Sequence, residues 1–156
     1  MAFGAASWPS AAISQKKGEL RYTTFTDYSI KVMLLESWQV EFTNEFGAWW
    51  ETISSTSQAA VDAYITMLEE RGPVLSHPYS SKVVGSRHAH MRELRVQHAG
   101  RPIRIFYAFD PRRAAILLIG GDKTGDDRFY KRMIPTADRL YDEHVEELKT
   151  DSNRGD

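Results

Sequence analysis

The chain has 156 residues, of which 42% are hydrophobic and 26% charged, and its formal net charge is −1. This composition is ordinary for one globular domain with a buried core. The absence of cysteine excludes a disulfide framework, a thiolate metal site and a thiol nucleophile. The longest apolar run, residues 114–119, is too short to cross a bilayer, and residues 1–14 lack the basic and apolar regions of a signal peptide. We therefore expect a cytoplasmic protein that does not associate with membranes.

Residues 1–36 differ in composition from the rest of the chain. They begin with a segment rich in Ala and Ser and show no clear hydrophobic period. Met33 stands just before the first predicted strand, so this stretch is explained either as a flexible extension or by a misassigned start codon. We place the folded domain at residues 37–149 and a polar tail at residues 150–156.

The first predicted elements are a strand over residues 37–42, where apolar and polar residues alternate, and a helical region from Phe46 to Arg71 with 3.6-residue spacing. A Ser/Thr run interrupts this region, and Ser57 is the predicted N-cap of a second helix. Gly72 and Pro73 then provide a helix stop.

Residues 73–90 form a polar loop, and three strand-like runs separated by turn residues follow it. These runs are Met91–Gln97, Arg101–Phe109 and Arg113–Ile119. Their short connections predict an antiparallel meander, which Gly120-Gly121 should end. A final helix is predicted from Ile134 to Leu148, with Pro135 in its first turn and an acidic outer face. The order of these elements predicts a small α+β sandwich.

The positive charge is concentrated in one third of the chain. Residues 82–132 contain twelve Lys or Arg and five Asp or Glu, a net of +7, whereas the remaining residues carry −8. A segregated basic block of this kind is typical of a surface that binds phosphate.

Alternation along the strands places Arg95 beside Glu93 on one face of the meander, and Arg104 on one face of the next strand. If the other face packs on the helices, this face is open, and two guanidinium groups there can clamp a phosphate. The alternative is a solvated polar face on which Glu93 pairs with an arginine. We expect the acidic C-terminal helix to lie away from Arg95 and Arg104.

The loop at residues 120–127 does not match a nucleotide-binding pattern. Lys123 is better placed to stabilise charge on a phosphorane, and Tyr130 can act as a hydroxyl acid or base or stack on a base. Tyr130 could equally be a core residue. The basic residues expected to bind RNA are Lys82, Arg87, His88, Arg128, Lys131 and Arg132. His88 and His90 have no third ligand in the sequence pattern, so we expect no metal and no cofactor.

The ordered set of residues 91–95, 104–107, 116–124 and Tyr130 resembles the HigB/RelE superfamily of type II toxins, particularly its phage-derived HigB-like branch. The resemblance covers roughly residues 38–148 and implies a small RelE-like sandwich, in which an antiparallel meander packs on N-terminal helices and a C-terminal helix follows.

The resemblance also implies a function, namely a metal-free endoribonuclease that cleaves mRNA at the ribosome through in-line attack of the 2′-OH. Carried over to this chain, the catalytic set is Arg95, Arg104, Lys123, Tyr130 and Glu93. Some relatives have lysine where this chain has Glu93, so the glutamate is either the general base or an ion-pair partner. The implied partner is an antitoxin with a helix-turn-helix domain.

Two other functions remain open. The same fold hosts toxins that target gyrase, which usually lack the arginine, lysine and tyrosine set. The third reading is a non-catalytic module whose basic face binds an acidic antitoxin segment.

Overall fold

The computed structural model describes residues 5–9 and 37–155. The strands are β1 (Ala6–Ser7), β2 (Val40–Phe42), β3 (Ser80–Lys82), β4 (Arg92–His98), β5 (Arg101–Phe109) and β6 (Ala115–Asp122). The helices are α1 (Asn44–Thr52), α2 (Ser55–Arg71), a 3-10 turn (Gly72–Val74) and α3 (Phe129–Arg154). Within the described ranges, no helix is both long and apolar enough to cross a membrane.

The six strands form one sheet in the order β1-β2-β6-β5-β4-β3. Strands β2 and β6 run parallel, and every other neighbouring pair is antiparallel. The β4-β5-β6 meander has the predicted connections, because the turns at 99–100 and 110–114 bring consecutive strands side by side. The predicted α+β sandwich with a meander and a C-terminal helix is confirmed.

Helices cover both faces of this sheet. On one face, α1 and α2 pack on residues such as Leu94, Ile105 and Leu117. On the other face, α3 packs on Phe106 and Ile116. The expectation that one face is open is therefore wrong, because β5 carries apolar side chains on both faces and each needs a cover.

Two glycines allow this packing to be tight. A Cβ at Gly120 would lie 2.4 Å from the ring of Trp49 on α1, and one at Gly121 would lie 2.8 Å from the ring of Phe129 on α3. Both glycines belong to β6, which continues to Asp122. The prediction that they end the meander is wrong, since their role is close approach of the two helices.

The helix boundaries differ from the sequence prediction at three points. Ser54, and not Ser57, caps α2: the Ser54 hydroxyl accepts a hydrogen bond from the Ser57 backbone. Helix α3 begins at Phe129, so Pro135 lies inside it and not in its first turn. The same helix continues through Arg154, into the segment predicted to be a polar tail. Gly72, at φ 57°, ends α2 as predicted.

Part of the predicted extension contacts the domain. Residues Ala6 and Ser7 pair with Phe42 and Glu41 as an antiparallel edge strand. Met33 and the rest of 10–36 lie outside the described residues.

Candidate active site

Glu93 lies at the centre of a cluster of polar side chains on the α3 side of the sheet. It is a β4 residue with only 4% of its surface exposed. Its Oε1 accepts hydrogen bonds from Ser81 Oγ at 3.2 Å, Arg95 Nη1 at 3.2 Å and Tyr130 OH at 3.1 Å. One carboxylate oxygen therefore connects β3, β4 and the first turn of α3.

Arg104 joins the cluster from β5. It pairs in register with Arg95, as alternation along the two strands predicted. Arg104 is 5% exposed, its Nη1 donates to the Ile103 carbonyl at 3.1 Å, and its Nε lies 3.9 Å from Glu93 Oε1. Among the described residues, Arg104 Nε and Glu93 Oε2 are two of the few buried side-chain atoms without a hydrogen-bond partner. The cluster therefore has an unused donor and an unused acceptor.

Tyr130 and Lys123 close the other side of the cluster. Burial, followed by the negative charge of Glu93, raises the pKa of Tyr130 above its usual value. The phenol therefore keeps its proton at neutral pH and acts as a donor. Lys123 Nζ lies 5.4 Å from the centre of the Tyr130 ring, a cation–π arrangement that places the ammonium beside Tyr130.

The structure thus brings together all five residues of the predicted catalytic set. Two guanidinium groups lie within 3.9 Å of one carboxylate and Lys123 lies against the Tyr130 ring, which leaves an excess positive charge able to bind an anion. A cleft of about 240 Å³ reaches the two arginines; it is lined by Tyr64, His77, Pro78, Tyr79, Arg95, Gln97 and Arg104. Arg95 is 32% exposed and Arg104 only 6% exposed at the side chain, so an incoming anion meets Arg95 first.

Three of the residues predicted to bind RNA lie near the start of α3. Arg128 and Lys131 are exposed, and Arg132 pairs with Asp126 at 2.8 Å. The Arg132 hydrogen bond lowers the pKa of Asp126. These residues extend the positive region outward from Tyr130.

The other three residues predicted to bind RNA are placed differently. Arg87 and His88 both bind Asp142 of α3, His88 Nε2 at 2.8 Å. Lys82 pairs in register with Arg92, which puts it on the sheet face opposite to Glu93.

Helix α3 lies across the same sheet face as the cluster, so the prediction that it lies away from Arg95 and Arg104 is wrong. Its first turn contacts Glu93 through Tyr130. Its acidic residues lie at the opposite end of the face: Asp138 binds Ser86, and Asp142 binds His88. The acidic surface is thereby kept apart from the basic cluster along one helix.

A second buried charge network was not predicted. His144 Nε2 contacts Asp110 Oδ2 at 2.9 Å, and Arg112 bridges Asp110 and Glu41. Burial alone would raise the pKa of Asp110, but the hydrogen bonds from Arg112 and His144 prevail and lower it. Glu41, Asp110 and His144 offer ligand atoms within 4.8 Å of one another. Because Arg112 already pairs with both carboxylates, we interpret the network as a link between β2, the β5-β6 turn and α3.

Ser81 was also missed, since a three-residue strand gives too short a pattern to reveal which face its side chains occupy. The signal for His144 was its place four residues after Leu140, on the apolar stripe of α3, among exposed acidic neighbours.

Comparison with known proteins gives consistent matches. The family of Gp49-like phage-derived proteins (DUF891) matches residues 48–142, which include the whole cluster around Glu93. The chain is 40% identical over 104 residues to "Putative toxin HigB2" of Mycobacterium tuberculosis, covering 65% of this chain and 52% of that protein. It is 46% identical over 92 residues to "Putative toxin HigB3" of the same organism, covering 58% of this chain and 79% of that protein. The chain thus spans about half the length of the first relative and most of the second.

Proposed function

The chain belongs to the Gp49-like family of phage-derived proteins, and from that premise we propose that it is the toxin of a type II toxin–antitoxin module and a metal-free endoribonuclease. The observation that carries the proposal is the convergence of Arg95, Arg104 and Tyr130 on Glu93, with Lys123 against the Tyr130 ring. These residues come from two strands, a loop and a helix, and they meet at one place on the sheet.

The geometry supports RNA cleavage by in-line attack of a ribose 2′-OH on the adjacent phosphorus. In that reaction a bond forms between the 2′ oxygen and phosphorus, and the bond from phosphorus to the 5′ oxygen breaks. The products are a 2′,3′-cyclic phosphate and a 5′-hydroxyl end. No cofactor is required for this balance, only a proton acceptor, a proton donor and positive charge.

Each residue has a role that its environment favours. Arg95 and Arg104 bind the nonbridging phosphate oxygens, and Lys123 adds charge stabilisation on the phosphorane. Tyr130, which keeps its proton, donates to the departing 5′ oxygen. Glu93 accepts the 2′-OH proton, or it only positions the arginines until RNA arrives.

The substrate must exchange with contacts that exist in the resting protein. Glu93 Oε1 already accepts hydrogen bonds from Ser81, Arg95 and Tyr130. A bound phosphate would need the same donors. A phosphate entering along the cleft meets Arg95 first, competes with the carboxylate for Arg95 and Tyr130, and can also accept from the unused Arg104 Nε.

By analogy with the family, we propose that mRNA at the ribosome in the cytoplasm is the target and that an antitoxin with a helix-turn-helix domain is the partner. The burial of Arg104 favours a second candidate, a non-catalytic module in which the cluster stabilises the fold and the partner binds elsewhere.

Inducible expression of the full chain separates these functions. Growth and mRNA 5′ ends are compared for wild type, Arg104→Ala, Lys123→Ala and the exposed control Arg139→Ala. We expect growth arrest and new mRNA ends for wild type and the control, with both lost in the two site variants while they remain folded. Arrest without new mRNA ends would instead indicate gyrase or another target. Arrest that persists in folded Arg104→Ala would overturn the proposed site.

A further inference from the structure

An aromatic groove lies on the side of the molecule formed by β2, α1 and α2. It has a volume of about 530 Å³, and its lining is mainly apolar, with a polar rim. Its lining includes Trp8, Pro9, Phe42, Phe46, Trp50 and Asp62. All but Trp8 and Pro9 belong to the domain proper, so two residues of the N-terminal segment sit in a site built by the rest of the fold.

Trp8 is the anchor of that segment. Its ring meets three aromatic rings edge-on, with centroid distances of 4.9 Å to Trp50, 5.7 Å to Phe42 and 5.8 Å to Phe46. Its indole Nε1 donates to Asp62 Oδ1 at 2.9 Å. The groove therefore recognises both the apolar body and the single donor of an indole.

The backbone of the segment is held as an added strand. Ala6 and Ser7 pair with β2, and the Trp8 backbone N–H donates to the Val40 carbonyl at 2.8 Å. The side chains of Ala6 and Ser7 are exposed. This is strand addition, in which main-chain bonds hold the segment and one pocket selects a side chain.

The rest of the sheet does not depend on this strand. The other edge of β2 is bonded to β6, so removal of β1 leaves five paired strands and an open β2 edge. The ladder between β1 and β2 is only two residues long, and the groove keeps free volume beside Trp8. An open edge next to an aromatic pocket is a template for another strand.

We propose that this groove is an exchangeable docking site for an extended segment with a tryptophan anchor. Residues 5–9 occupy it within the same molecule, and residues 5–9 of a second copy of this chain take their place along β2. Residues 5–9 show what a segment needs in order to bind: an antiparallel backbone, a small residue at each exposed position and an indole facing Asp62.

The test uses the full chain and a labelled peptide with the sequence of residues 3–12, FGAASWPSAA. Fluorescence anisotropy measures its binding to wild type and to Trp8→Ala, with the peptide FGAASAPSAA as control. Hydrogen exchange of the amides at 40–42 reports on the β2 edge in the same samples.

We expect the peptide to bind Trp8→Ala at least about tenfold more tightly than wild type, because the tethered segment competes at high local concentration. Exchange at 40–42 should be faster in the variant and slow again when the peptide binds, and the control peptide should do neither. Equal binding to both proteins, or no binding to a folded Trp8→Ala protein, would overturn the proposal. Trp8→Phe keeps an aromatic ring but loses the indole donor, so it controls for a folding defect in Trp8→Ala. It should bind the peptide with an affinity between those of wild type and Trp8→Ala. An affinity equal to that of wild type would count against the site.

Discussion

Arg95 and Arg104 stand directly opposite each other on β4 and β5, yet they use Glu93 differently. Arg95 forms an ion pair with Oε1 at 3.2 Å, whereas Arg104 Nε stops at 3.9 Å and has no hydrogen bond. Two adjacent like charges repel each other, and one carboxylate offsets only part of that repulsion. A second anion, such as a phosphate, would therefore complete the pair.

Comparison of Glu93→Gln with Glu93→Ala distinguishes the two possible roles of Glu93, as the general base and as a residue that only positions the arginines. If Glu93 is the base, the isosteric glutamine should lower the rate of RNA cleavage by about 100-fold or more, because it cannot accept the 2′-OH proton. RNA affinity should not fall, since removing the negative charge exposes the arginines to phosphate. Single-turnover cleavage and binding of a 2′-deoxy substrate measure the two effects.

The opposite result is equally informative for Glu93. A Gln variant that cleaves at the wild-type rate would show that the carboxylate only positions the arginines. In that case Glu93→Ala should lose activity together with stability, because Arg95 and Tyr130 lose their acceptor.

Tyr130→Phe should lower cleavage by about 10- to 100-fold without unfolding the protein, because the ring contacts remain and only the donor is lost. The raised pKa keeps the hydroxyl protonated, so we expect no loss of wild-type activity from Tyr130 ionisation as the pH rises through 7 to 9. The matched control is Tyr141→Phe, a tyrosine on the same helix that burial also gives a raised pKa but which bonds His90. Equal losses in both variants would mean that a general change in α3, and not donation by Tyr130, is responsible.

Local sequence patterns predicted which strand face a side chain occupies better than they predicted where the helices begin. Alternation indicated that Arg95 and Arg104 could share a face, and the structure adds that they are direct partners, because the turn at 99–100 fixes the register of the hairpin. The position of Tyr130 over Glu93 depended on where α3 begins. That boundary was missed because Pro135 suggested a later start and Arg128 provides no side-chain cap.

Long-range pairing left even less trace in the sequence. Nothing in the Ala- and Ser-rich start indicates that Ser7 pairs with Glu41, since a two-residue strand has no period and its partner is far along the chain. The burial of the Arg104 face did have a signal, namely the apolar residues Phe106 and Ala108 beside it. An open face would not have needed them.

Gly120→Ala should destabilise the fold by about 1–3 kcal/mol, because the new methyl group would overlap the Trp49 ring, which packs against this face of the sheet. Urea unfolding followed by far-UV circular dichroism measures the change. Gly155→Ala is the control, since a Cβ there meets only a backbone oxygen at 3.8 Å. A Gly120→Ala protein as stable as wild type would mean that α1 shifts easily, and the close approach of Trp49 would not be needed for the fold.

We expect Glu69 to make the stability of the chain depend on pH, independently of the cluster around Glu93. Burial, with smaller contributions from the negative charges of Asp62 and Glu70, raises its pKa from 4.5 to about 7. Its Oε1 is buried without a hydrogen bond. Between these two pKa values the unfolded chain loses the proton before the folded protein does, so the free energy of unfolding falls as the pH rises through this window.

Glu69→Gln should remove the effect and raise the free energy of unfolding by about 1–3 kcal/mol at pH 8, with little gain at pH 4. The exposed neighbour substitution Glu70→Gln should change stability much less at either pH. Urea titrations of the three proteins at both pH values provide the measurement, and a gain of equal size at pH 4 and pH 8 would show that packing, not ionisation, is responsible.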